Sequence, residues 1–240
     1  MNPIVLIPAR MAATRLPGKP LADIEGLPMI VRVLRQAEAA DVGPVAVAAG
    51  DPEIAEAVEK AGGLAVLTDP DLPSGSDRIL AALARLDPAG AHDVVINLQG
   101  DMPFVAPPVL VACIDLMARE PTCDIATVVA PEASPADRAN PDVVKAVLAA
   151  SGRALYFTRS TLYGDAPVWR HIGIYGYRRA ALMAFNAAPP SPLERREKLE
   201  QLRAMELGLS IWAATADDAP ISVDNPADLE RARDFARTRS

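Results

Sequence analysis

The sequence predicts an α/β fold: a doubly wound, mixed but mainly parallel sheet with a small antiparallel lobe. Three observations predict it. Short apolar runs alternate with helix-period segments through the first half of the chain. Such alternation, with short connections, favours right-handed crossovers and a sheet covered on both faces. The first run is followed by a loop that three prolines and a glycine keep from forming a regular helix. Beyond residue 130 the pattern changes to paired apolar runs of the hairpin kind.

The elements follow in order. Residues 4–7 form a continuous apolar run, the mark of a buried parallel strand. After the irregular loop, Pro28 opens a helix with Met29, Ile30, Val33, Leu34 and Ala37 on one face. Residues 45–49 read as a strand. Asp51 then caps a helix with Pro52 at its first position, and Gly62 or Gly63 ends it. Residues 64–68 are a third strand, and Ser76 caps the helix carrying Ile79, Leu80, Leu83 and Leu86. Residues 94–98 are a fourth strand, 107–119 a helix and 125–129 a further strand. Ala150, Ser151 and Gly152 then join the runs 143–149 and 153–159 as a hairpin. Residues 171–177 form a strand containing Gly173 and Gly176, a sign of close backbone approach. Helices are expected over 179–187, 193–207 and 228–237, with a strand at 211–214.

A chain of 240 residues, half of them hydrophobic, suits one large domain with a small lobe. The parts are 1–130, 131–220 and a closing stretch 221–240. A net charge of -7 argues against general nucleic-acid binding. A polyanionic substrate would then need a local basic patch. The two cysteines, Cys113 and Cys123, lack metal-ligand spacing and suggest a reducing compartment. No signal peptide precedes the first strand, and no apolar run approaches the ~18 residues of a membrane span. A cytoplasmic protein is the expectation.

The chemistry concentrates in a few stretches. Arg10, Arg15 and Lys19 sit on the irregular loop at the carboxyl end of the first strand, where open α/β sheets bind ligands. Arginine forks and a lysine point charge suit a polyphosphate. Residues 74–78, with Ser74, Gly75 and Arg78, serve either as a helix cap or as a turn that meets an anion or a base edge. Gln99, Gly100 and Asp101 follow the fourth strand, where a hard oxygen ligand can hold Mg²⁺ against substrate phosphates. Capping of the last helix takes one of Asp224 and Asn225, which leaves the other, most naturally Asp224, for a second metal contact. In the lobe, Arg159, His171, Tyr175, Glu200 and Gln201 are polar residues on otherwise apolar elements.

These stretches together resemble a known family. Residues 7–10 (Ile-Pro-Ala-Arg) and 14–21 (Thr-Arg-Leu-Pro-Gly-Lys-Pro-Leu) are similar to the signature of the CMP-sugar-acid cytidylyltransferases. Residues 74–78, 99–101, 170–178, 192–194, 199–203 and 223–224 narrow the resemblance to the 3-deoxy-manno-octulosonate cytidylyltransferase, or CMP-Kdo synthetase, family. The resemblance implies a nucleotidyltransferase fold of the Rossmann-like, GT-A type. It implies a Mg²⁺-dependent reaction of CTP with the eight-carbon sugar acid Kdo, a homodimer, and a place in lipopolysaccharide assembly. Arg10, Arg15 and Lys19 would hold the triphosphate, with Ser74, Gly75, Arg78 and Gln99 at the nucleotide. Asp101 and Asp224 would hold the metal. Gln99, Arg159, His171, Tyr175, Glu200 and Gln201 would line the sugar-acid pocket. Residues 1–130 would be the nucleotide-binding half and 131–220 the sugar-binding and dimerisation lobe. Two departures stand out: the family commonly has Ser where Ala13 stands and Glu where Met102 stands. The second bears on polar contacts at the sugar side of the metal. A related acid, such as 8-amino-Kdo or a sialic acid, is an alternative substrate. A non-catalytic nucleotide-binding regulator is an alternative of another class.

Overall fold

The chain enters at β1 (Pro3–Ala9), buried from Ile4 onward. The structure is a computed structural model and describes residues 1–12, 15–132, 134–162, 164 and 168–238. They fall into two units, Met1–Leu110 with Pro220–Ser240, and Val111–Ala219.

In the first unit a 3-10 turn at Lys19–Leu21 precedes β2 (Asp23–Ile24) and β3 (Leu27–Pro28). These two pair as a small antiparallel hairpin. Sequence periodicity could not reveal it, because two-residue strands have no period. Next come α1 (Met29–Ala39), β4 (Val45–Ala49), α2 (Pro52–Lys60), β5 (Ala65–Leu67), α3 (Gly75–Leu86) and β6 (Val94–Asn97). The strand order is β6-β1-β4-β5, every pair parallel. The chain leaves β1 toward β4 on one flank and later returns to lay β6 on the other. The loops leaving β1 and β6 therefore diverge, which opens a crevice at the carboxyl ends of the strands.

Two expected caps differ in detail. Ser74, not Ser76, caps α3, its Oγ accepting the Asp77 N–H at 3.1 Å. Ser76 is buried in the first turn. Asp51 holds the cap position of α2 but makes no cap bond. Its Oδ2 accepts the Met11 N–H at 2.7 Å, which ties the basic loop to the start of α2.

The helix α4 (Pro107–Arg119) carries the chain into the second unit. There follow β7 (Ile125–Pro131), α5 (Pro135–Ala139), β8 (Lys145–Leu148), β9 (Ala154–Thr158) and β10 (Trp169–Arg178). Then come α6 (Arg179–Ala187), α7 (Pro192–Glu197), α8 (Gln201–Glu206) and β11 (Ile211–Thr215). β8 and β9 are the expected hairpin, and β10 runs antiparallel to both β7 and β8. β11 is parallel to β7. Because β7 pairs with β10 and β11, it packs with this unit, whereas the division near residue 130 grouped it with the first part. The β10–β7 register shifts between Ile172 and Tyr175, around Gly173. Lys145 is fully buried, and its ammonium donates to the carbonyls of Asn140, Val143 and Arg159 at 2.8, 2.9 and 2.9 Å. Three acceptors let a buried cation keep its hydrogen bonds. Cys113 and Cys123 are both buried, and burial pushes both thiols up to about 12.

The single helix expected over 193–207 is two helices. Lys198, in the left-handed region at φ 56°, breaks it. Glu194 explains the fold-back. It completes a capping box with Ser191 and takes two bonds from Arg203, at 2.8 and 2.7 Å. That buried pair draws α8 back onto α7. The last helix, α9 (Pro226–Arg237), returns to the first unit and starts two residues earlier than expected. Leu229, Ala232 and Ala236 pack with Val223, Ile24 and Met29. No helix among the described residues is long and apolar enough to cross a membrane.

Candidate active site

A cleft of about 370 Å³ opens where the loops after β1 and β6 diverge. Arg10, Arg15, Lys19, Ser74, Gly75, Arg78, Gln99, Asp101 and Asp224 all line it. Every nucleotide-side and metal-side residue singled out in the sequence is thus brought to one place. Four cations there face two carboxylates. A chain of net charge -7 therefore has a basic cleft suited to a polyanion.

The backbone explains how the basic loop reaches the cleft. Gly18 takes a left-handed conformation, φ 71°, that a residue with a Cβ adopts at a cost. Its N–H donates to Met11 O, and the Lys19 N–H donates to Leu16 O. The following 3-10 turn fixes the Cα of Lys19. Gly100 does the corresponding work after β6. A Cβ there would stand 2.9 Å from the Pro8 carbonyl oxygen, so only glycine lets this loop lie so close to the end of β1.

At the centre stands an ion cluster. The Lys19 ammonium lies 3.0 Å from Asp101 Oδ2 and 3.3 Å from Asp224 Oδ1. Arg15 Nη2 reaches the same Asp224 oxygen at 3.2 Å. Asp101 is held above the usual carboxylate range by burial, an effect that Lys19 opposes and Asp224 reinforces. The Val223 N–H donates to Asp101 O at 2.9 Å and so pins the two turns together. Asn225, whose Oδ1 accepts the Asp228 N–H at 3.0 Å, is the cap of α9. Asp224 is left to face the cleft. Its own N–H donates to Asp228 Oδ2 at 3.0 Å.

Beside the cluster, α3 begins at the cleft. Gly75 packs closely under Pro8: a Cβ there would be 3.2 Å from Pro8 Cγ and 3.6 Å from Gln99 Oε1. Gln99 Nε2 donates to the buried Asn97 Oδ1 at 3.1 Å. Arg78 has a structural occupation as well as a place at the cleft. Its guanidinium donates to Thr68 Oγ1, Asp69 O and Pro70 O at 2.7, 3.0 and 3.1 Å. Burial, then the Arg10 charge, lowers its pKa.

The lobe residues lie in the second unit. His171 Nε2 is 2.9 Å from Thr127 Oγ1. The Thr127 hydroxyl is 2.8 Å from the Ile174 carbonyl, to which it donates. It therefore accepts from His171, which assigns the ring proton to Nε2. Burial drives the His171 pKa down to about 3. Phe157 and Tyr175 flank the ring at 5.0 and 5.4 Å between centroids. Burial raises the Tyr175 phenol well above its ordinary value, with Tyr177 and Glu200 adding to the effect. His171, Tyr175 and Glu200 thus form one neighbourhood. Gln201 is buried, and its Nε2 has no partner among the described residues. Arg159 donates to the Pro141 carbonyl at 2.9 Å.

Sequence reasoning missed Thr127, whose signal was one hydroxyl within an apolar strand. It also missed Glu197, which accepts from Thr158 Oγ1 and the Arg159 N–H at 3.0 and 3.3 Å. Asp51 was seen as a cap and not as the anchor of the basic loop. Met102 is buried and is not among the residues that line the cleft. Ala13 and Thr14 lie outside the described residues.

Comparison with known proteins gives a consistent picture. The profile of a family described as Cytidylyltransferase matches residues 4–211. A 3-deoxy-manno-octulosonate cytidylyltransferase of Parvibaculum lavamentivorans is 56% identical over 244 aligned positions, covering 100% of this chain and 94% of the relative. One from Methylobacterium radiotolerans is 57% identical, covering 99% and 98%. Among solved structures, CMP:2-keto-3-deoxy-manno-octonic acid synthetase complexed with CTP superposes with a TM-score of 0.94 at 36% identity over the whole of both chains. A cytidylyltransferase from Leptospira borgpetersenii, 17% identical with a TM-score of 0.68, shares the fold.

Proposed function

The chain belongs to the cytidylyltransferase family, and from that premise we propose the reaction it carries out. It is a nucleotidyltransferase that joins CTP to 3-deoxy-manno-octulosonate, giving CMP-Kdo and pyrophosphate. The observation that carries this reading is the cleft in which Arg10, Arg15, Lys19, Asp101 and Asp224 meet. The reaction feeds lipopolysaccharide assembly, and the enzyme works as a homodimer in the cytoplasm. We place the dimer interface at the β8–β9 hairpin, where Leu155 is exposed.

The anomeric 2-hydroxyl of the sugar attacks the α-phosphorus, and pyrophosphate leaves in line. Negative charge grows on the leaving group, so catalysis is largely positioning and electrostatics. Arg10, Arg15 and Lys19 supply fixed positive charge along the polyphosphate. Asp101 and Asp224 would hold Mg²⁺. The donor set fits: two hard carboxylates already converge on a cation, and Mg²⁺ commonly takes one or two carboxylates with substrate phosphates and water. When bound, Mg²⁺ neutralises phosphoryl charge and lowers the pKa of the attacking hydroxyl. For the sugar acid, Arg159, His171, Tyr175, Glu200 and Gln201 of the second unit would supply polar contacts. The buried Nε2 of Gln201, without a partner among the described residues, is a donor for a sugar oxygen, and Arg159 is a cation for the sugar carboxylate.

Pyrophosphate release tests the reading. CTP with Kdo should outpace UTP, ATP and GTP, and should outpace CTP with 8-amino-Kdo or a sialic acid. Preference for another acid would correct the substrate. No release with any pairing would leave a nucleotide-binding regulator.

A further inference from the structure

We propose that Lys19 is an exchangeable counter-ion which closes the Asp101–Asp224 pair to divalent metal until a nucleoside triphosphate draws the ammonium away. Metal binding then depends on nucleotide binding. The inference rests on the assignment of these two carboxylates as the magnesium ligands and adds a second task to Lys19.

The geometry is specific. One ammonium sits within 3.3 Å of an oxygen from each carboxylate. A metal that used the same oxygens would meet a like charge at contact distance, so the two cations exclude each other. Lys19 is the cation that matters. Its side chain is 18% exposed, whereas that of Arg15 is 64% exposed and well screened. Asp101, its nearer partner, is 22% exposed.

The device is also built to move. The Lys19 backbone is fixed by the Gly18 turn and by the 3-10 turn that follows. Its side chain is a flexible four-carbon stem at the edge of an open cleft that Arg10 and Arg15 also line. A triphosphate entering there offers the ammonium more negative charge than two carboxylates do. The lysine can turn to the phosphates while its Cα stays in place. The carboxylate oxygens it leaves become ligands at the moment the substrate phosphates arrive to complete the metal's shell. Without nucleotide the pair stays neutralised, and free metal gains little by entering.

Mn²⁺, which is visible by paramagnetic resonance, is the probe for the test. Its affinity is measured at pH 8 for the wild type, Lys19→Met, Lys19→Gln, Asp101→Asn and the double variant Lys19→Met/Asp101→Asn, without nucleotide and with CTP alone. Thermal melting establishes that each variant is folded, and the two lysine variants serve as checks on one another. Without nucleotide, Lys19→Met and Lys19→Gln should bind Mn²⁺ at least about tenfold more tightly than the wild type, a difference of about 1.4 kcal/mol. Asp101→Asn should abolish the gain. Equal affinity of the wild type and both lysine variants without nucleotide would overturn the counter-ion role, as would a gain that survives Asp101→Asn. The magnesium assignment itself fails by a different result: Mn²⁺ affinity of the CTP complex that is unchanged when Asp101→Asn is made alone.

Discussion

Asp101 and Asp224 come from turns on either side of the second unit's sequence, yet an oxygen of each reaches one ammonium. Such a cluster acts as a unit. Asp101→Ala and Asp224→Ala should each lower turnover by about two orders of magnitude, a usual cost of losing one strong electrostatic element. The double variant should cost much less than the product of the singles. Full activity of Asp101→Ala at ordinary Mg²⁺, measured by pyrophosphate release, would sink the assignment. His171 carries a different expectation. Its folded pKa of about 3 lies below the ordinary imidazole value of 6.5, so the unfolded chain binds the proton first as pH falls. Its contribution to stability is complete above about pH 6.5 and is lost toward pH 3, at up to about 1.4 kcal/mol per pH unit. In His171→Gln, the drop in melting temperature between pH 7 and pH 5 should shrink. An unchanged drop would mean that the ring is not held neutral. At this scale the sequence was most legible where a residue's chemistry was uncommon for its setting, as with the cations of the first loop. Thr127 was silent because its partner lies on another strand.

Elements were legible where period and punctuation agreed. The helix at Pro107–Arg119 and the helix at Arg179–Ala187 stand where the pattern put them. The split between α7 and α8 was not legible, because no proline or glycine punctuates residues 193–207. The break comes from Glu194 pairing with Arg203, a tertiary contact. Likewise, Ser74 and Ser76 are both adequate caps by type, and it is the Ser74 hydroxyl that accepts the Asp77 N–H. The loop after β6 provides the test at this scale. Gly100→Ala places a methyl 2.9 Å from the Pro8 carbonyl, and overpacking of this kind costs about 1–3 kcal/mol. The melting temperature should fall, and turnover should fall with it because Asp101 is the next residue. A melting temperature equal to that of the wild type would show that this loop can move off β1 without loss.

For the whole molecule, the alternation of strands and helices specified the parallel order of the first unit, and the hairpin signal specified the lobe. What sequence order hid was membership. The closing helix α9 belongs with β2 and α1, because Leu229, Ala232 and Ala236 bury against Ile24 and Met29. Contacts between residues so far apart in the chain leave no local periodic trace. Assembly is the prediction here. Sedimentation at micromolar protein should give twice the 25.4 kDa of one chain, and Leu155→Asp should shift the protein toward monomer. A wild type that sediments as a monomer would count against the interface.

Cys113 and Cys123 have a use that their burial creates. Both lie in the second unit, with sulfurs closed to solvent and thiols held near 12. A thiol in that state is almost wholly protonated at pH 8 and scarcely reacts. Modification by an aromatic disulfide reagent must therefore wait for the unit to open, and its rate becomes a clock for that opening. If opening is rapid and reversible, the ratio of the native rate to that of the unfolded chain gives the opening free energy. Labelling with and without saturating CTP would report whether ligand held by residues of the first unit alters the breathing of the second. Burst labelling of either thiol in native protein would show that the second unit opens without a significant barrier.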